Sequence, residues 1–121
     1  MRYLNIFAAI IINLGAAQFC AAADIHHLIL IWQKPDTPPA QTQALLDGTK
    51  ALSKIPGIKS LEIHTPISSD RPVVDDSFSY AVLMTFASEQ DMLNYQQHPQ
   101  HVKFIQENVK DKLEKLVIYD F

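Results

Sequence analysis

Cysteine is almost missing from this chain of 121 residues, which holds only Cys20. A disulfide framework is therefore excluded, and a small core has to be held by packing alone or by association with a second copy. Basic charge is also scarce. Ten Lys and Arg stand against thirteen Asp and Glu, for a formal net charge of −3. Binding of nucleic acid needs clustered cations, which speaks against nucleic acid as a partner. The lysines near the end (Lys103, Lys110, Lys112, Lys115) alternate with Glu107, Asp111 and Glu114, the pattern of a solvated helical face. Spacings of the H-E-x-x-H kind are absent, so no metal site is expected.

Only the N-terminal stretch is long and apolar. After Met1 comes one positive charge, Arg2, then Tyr3 to Phe19 with Asn5, Asn13 and Gln18 as its clearly polar members, and then Ala21-Ala22-Ala23. A basic start, an apolar middle and small residues at the end are the features of an export signal, with cleavage after Ala23 and a mature start at Asp24. An uncleaved anchor and lipidation of Cys20 are the alternatives. The terminal alanines argue against the first, and Phe19 and Gln18 before the thiol argue against the second. The expected location is exported, periplasmic or secreted. Cleavage removes Cys20, and with it thiol chemistry, and leaves no membrane segment.

Residues 24–121 then form one small domain. Ile25 to Gln33, IHHLILIWQ, reads as a buried strand, with His27, Ile29 and Ile31 on one face and His26, Leu28, Leu30 and Trp32 on the other. Thr37-Pro38-Pro39 reads as a helix start capped by the threonine hydroxyl, and Leu45, Gly48, Leu52 and Ile55 give the helix its stripe. Ile55-Pro56-Gly57 ends it. Ile58 to Thr65 alternates as a second strand whose apolar residues divide between its faces. Residues 66–77 form a long polar loop, a lid or a mobile excursion. Phe78 to Phe86 is a third strand, with Tyr80, Val82 and Met84 on one face. Ser88 and Asp91 resemble a capping pair, and a short helix follows. His98-Pro99 breaks it and starts another through Val102, Ile105 and Val109. Leu116 to Phe121 is a last strand. The order βαββαβ predicts a ferredoxin-like α+β protomer with an antiparallel four-stranded sheet.

The segment Tyr95-Gln-Gln-His98-Pro99-Gln100-His101 is richest in groups that move protons. His98 and His101 fall on neighbouring positions of one helix face. Imidazole titrates near neutrality and phenol donates or accepts, so the set could move a proton on and off an enolisable carbon. Each residue also has a plain structural reading. His98 can cap the second helix, and Tyr95 and Tyr80 can be core aromatics.

The run HHLILIWQK, then ALSKIPGIKSLE, YAVLMTFAS, YQQHPQHVKF and the closing LVIYDF resembles the stress-responsive A/B barrel domain (Dabb) family over about residues 25–121. The resemblance implies a protomer that pairs into a homodimeric α/β barrel, with a cavity between sheet and helices and no cofactor. Some members are polyketide cyclases and others are stress proteins. Carried onto this chain, His101 would be the base and Tyr95 its partner, the expected catalytic pair. His27 matches the first-strand histidine, and Tyr80 stands where cyclases can carry His. With His98 and Met84, these make up the expected ligand-binding set. An exported chain is separated from polyketides made on cytosolic carriers. The expected function is thus a stress-related or small apolar-ligand-binding dimer, with a His101-based cyclase or lyase as the alternative.

Overall fold

The computed structural model describes residues 22–121, so the export signal read over residues 1–23 lies almost wholly outside the described residues. Strand β1 (Ile25–Gln33) leads to helix α1 (Pro39–Ala51) and a 3-10 turn at Leu52–Lys54. Strands β2 (Ile58–His64) and β3 (Tyr80–Phe86) follow, then α2 (Glu89–Gln97), α3 (Pro99–Phe104), a π-helical turn at Ile105–Val109 and strand β4 (Leu113–Asp120). The sheet order is β2-β3-β1-β4, with every neighbouring pair antiparallel. This is the ferredoxin-like arrangement that the element order predicts. No helix among the described residues is long and apolar enough to cross a membrane.

Register decides which side chains meet. His27 lies opposite Met84 on β3 and Asp120 on β4, Ile29 opposite Val82 and Ile118, and Ile31 opposite Tyr80 and Leu116. Directly paired residues point to the same side, so these rows form the helix-facing surface. In β2 the alternation expected to split the apolar residues is corrected by a bulge. Ile58 pairs with Phe86 and Ser60 with Thr85, leaving Lys59 as the extra residue. Ile58, Leu61 and Ile63 thereby reach one face and pack against the core.

The core holds Ile31, Leu45, Leu52, Ile55, Val82, Met84, Phe86, Met92 and Tyr95. Burying a large apolar side chain of this kind contributes about 1.5–3 kcal/mol. Helix α1 turns Leu45 and Thr49 inward, the 3-10 turn after it adds Leu52, and the buried Thr49 hydroxyl donates to the Leu45 carbonyl at 2.7 Å. Its start differs from the expectation: Pro38 is the N-cap residue, and the Thr37 hydroxyl donates backward to the Lys34 carbonyl at 2.8 Å. Ser88 does cap α2, its hydroxyl accepting from the Asp91 N–H at 3.1 Å.

The opposite face of the sheet carries Leu28, Leu30, Trp32, Leu83, Val117 and Tyr119, and the helices all lie on the other side. The loop after β2 is fastened near Trp32. The indole N–H donates to the Ser77 hydroxyl at 2.9 Å, and the Ser79 N–H donates to the Ile31 carbonyl at 2.7 Å.

Gly57, in the turn before β2, has φ +97°, and a Cβ there would stand 3.2 Å from Cβ of Asp91. A left-handed non-glycine residue costs about 1–2 kcal/mol. Gly57→Ala should therefore lower unfolding stability by at least that amount in urea titration; an unchanged midpoint would contradict this account of the turn.

Candidate functional site

Between the helix-facing surface and helices α1, α2 and α3 lies a cavity of about 60 Å³. Its walls are mainly apolar, including Ile29, Val82, Met84, Leu52 and Phe104, and its ionisable groups are His27, Tyr95 and His101. These three and Met84 come from the catalytic and ligand-binding sets that the family resemblance suggested, and all four line this cavity. His101 and Ile105 also line a shallow outer groove with Gln96, Val102 and Gln106, so this wall is reached from solvent.

His27 reaches the cavity because β1 alternates. Its residue is only 4 % exposed, and its Nδ1–H donates to Oδ1 of Asp120 at 2.5 Å. The Asp120 side chain is 42 % exposed, so the carboxylate keeps part of its hydration while bonding a buried ring. Tyr95 and Phe86 present their rings edge-on to the imidazole, with centroids at 6.1 Å and 6.5 Å.

His101 is oriented by the break between the helices. In a continuous helix the Gln96 carbonyl would accept from the N–H of Gln100. Here the Gln100 N–H donates to Nδ1 of His98 at 3.1 Å, and the Gln96 carbonyl instead accepts from Nδ1–H of His101 at 2.9 Å. That bond sets the tautomer of the neutral ring and leaves Nε2 as its bare acceptor. Burial pushes the His101 imidazole below its usual pKa, partly opposed by the Gln96 bond, with His27 adding a small push in the same downward direction. Its ring lies 4.5 Å from that of Tyr95. Burial drives the Tyr95 phenol well above its ordinary range, so it remains a neutral O–H donor.

Two residues expected in the ligand-binding set do not line the cavity. Tyr80 shares the correct sheet face but sits four residues along β3 from Met84, about 13 Å away at the strand rise, and packs on the core near Ile31. His98 is committed to capping α3. Residues 66–77 contribute nothing to the cavity wall; the loop's tie to Trp32 is on the opposite face of the sheet. Asp120 escaped the sequence reading. Its signal was available: in LVIYDF the acid alternates with Ile118 and Leu116, which puts a carboxylate on the core-facing side. Among the described residues no cluster of three or more His, Cys, Asp or Glu side chains could hold a metal.

A four-stranded antiparallel sheet with helices on one face and a His/Tyr cavity between the layers defines a ferredoxin-like α+β domain. Residues 25–121 match the Stress responsive A/B Barrel Domain, Dabb, and the chain belongs to that family. Among solved structures, a Dabb family protein with a ferredoxin-like fold from Mesorhizobium loti is 25 % identical, over 81 % of this chain and 94 % of that one, with a TM-score of 0.65. The hydroxynitrile lyase of Passiflora edulis is 23 % identical over 81 % and 91 %, with a TM-score of 0.72. A dimeric ferredoxin-like protein of unknown function from Thermobifida fusca is 21 % identical over 81 % and 89 %, with a TM-score of 0.65. Among curated proteins none matches.

A lowered His101 pKa has a definite consequence for stability. The folded protein binds this proton more weakly than the unfolded chain, so the contribution is complete above the ordinary imidazole value of 6.5 and is lost as pH falls below it. His101→Gln should flatten the loss of stability on the acid side of that value. Urea midpoints measured at a series of pH values would show it, and parallel curves for the two proteins would refute it.

Proposed function

We propose that the domain carries out cofactor-independent proton transfer on a small, largely apolar carbonyl compound. The convergence of His27, Tyr95 and His101 on one apolar cavity is the observation that supports this reading. Environments that separate the protonation behaviour of neighbouring groups assign acid and base roles. His101, kept neutral by burial, takes the proton from the carbon next to the carbonyl at Nε2. The Tyr95 O–H donates to the carbonyl oxygen as negative charge develops there. The proton held by the His101 ring then returns to the carbon, or exchanges with solvent, as the enolate collapses, and His27, bonded to Asp120, holds the facing wall of the cavity in one orientation. The likeness to the hydroxynitrile lyase supports the fold alone, and the chemistry rests on the side chains.

The simplest test uses no natural substrate. The protein should speed deuterium exchange at the α-carbon of small ketones in D₂O, followed by NMR. General acid–base groups contribute about 10²–10⁴-fold, so His101→Ala and Tyr95→Phe should each slow exchange by about 10²-fold or more. Wild-type exchange no faster than buffer, or variants equal to wild type, would remove the catalytic reading. The apolar lining favours one second reading: a protein that holds a small apolar ligand without turning it over.

The proposed setting is an exported homodimer. Removal of residues 1–23 would release the domain outside the cytoplasm, away from polyketides made on cytosolic carriers. The open sheet face, with Leu28, Leu30, Leu83 and Val117, supports pairing with a second copy, in keeping with the dimeric relative from Thermobifida fusca. Native mass spectrometry of the protein recovered from an exporting host should give twice the mass of residues 24–121. A monomer would count against the pairing, and a retained leader against the cleavage.

A further inference from the structure

Phe104 closes α3 and lines the cavity, with its ring lying directly on Gly48 of α1. A Cβ at Gly48 would fall 2.8 Å from both Cδ2 and Cε2 of that ring, and 3.4 Å from Nδ2 of Asn108. Any side chain at 48 would therefore force the ring away. Thr49 of α1 and Leu52 at its C-cap form the adjoining cavity wall. The void is the space that the ring already borders, so it gives a displaced ring room to turn, and a missing ring enlarges it. Glycine inside a helix is less favourable than alanine. Here that cost is tied to a particular seat for one aromatic side chain.

We propose that Phe104, seated on Gly48, sets the upper size limit of the compound that the cavity accepts. The proposal rests on reading the cavity as a small-molecule site, and it concerns selectivity, whichever chemistry follows. Phe104 acts as a wall whose depth is fixed by the absence of a side chain on the neighbouring helix.

A homologous series of cyclic ketones, cyclopentanone to cyclooctanone, supplies the probe. Binding is followed by chemical-shift titration of the cavity residues, and α-carbon deuterium exchange is measured separately. Phe104→Ala should admit rings larger than the largest bound by the wild type. Phe104→Leu should do so to a smaller degree, and serves if the alanine variant does not fold. Gly48→Ala should weaken the largest wild-type binder by at least about tenfold. An unchanged size limit in the Phe104 variants, or an unchanged affinity in Gly48→Ala, overturns the proposal. Exchange with an unmoved limit would remove the size-setting role and keep the acid–base reading. A moved limit without exchange would do the reverse. Failure of every ring to bind either protein removes both.

Discussion

A ring nitrogen buried in apolar surroundings without a hydrogen bond costs about 2–7 kcal/mol, and His27 sits in the middle of an apolar sheet face. Its bond to Asp120 meets that constraint, and much of the site follows from it. The two residues meet because β4 pairs antiparallel with β1 in a register that sets Asp120 opposite His27. A one-residue slip would turn Tyr119 toward the cavity and carry the carboxylate to the open face. The irregularity between Trp32 and Gln33 belongs to the same arrangement: the extra residue, Glu114, lets Leu113 join the core while Leu116 and Ile118 keep facing the helices.

The second imidazole is held by a different device. Pro99 has no N–H to offer a preceding helix, and His98 before it is extended, with φ −62° and ψ 135°. The resulting break frees the Gln96 carbonyl, and His101 takes it. His98 thus stays outside the cavity yet belongs to its construction, because it occupies the Gln100 N–H that would otherwise compete. Each imidazole is anchored through Nδ1, one by a carboxylate and the other by a carbonyl. The partner that fixes each ring therefore differs, although the residue type is the same.

Much of this was legible in the sequence where local rules suffice. Period-two runs marked β1 and β3, Ser88 and Pro99 marked helix starts, and the H-P-x-H segment marked the residues around His101. Errors arose where a non-local choice decides. Nothing local distinguishes Tyr80 from Met84 as a cavity residue, since both lie on one strand face. Only the placement of the helices above that face selects Met84. The split pattern of β2 was resolved by a bulge that depends on its partner strand. Asp120 could have been assigned to the core-facing side by alternation, but its pairing with His27 is a property of strand register across 93 residues. Element order supplied the fold and family resemblance the His101/Tyr95 pair, and neither could supply the tautomers.

A space of about 60 Å³ between the layers is itself a constraint on so small a domain. Regular helices would tend to close such a gap by settling on the sheet. Here the covering segment is irregular in two places, at the His98-Pro99 break and at the π-helical turn of Ile105–Val109. Turns of the second kind are rare and occur mostly where helices serve a function. Ile105 and Val109 from that turn both line the cavity, and Phe104 just before it rests on a glycine rather than sinking into the sheet. A space bounded in this way, with its ionisable groups separately oriented, supports the proposal of a small-molecule site.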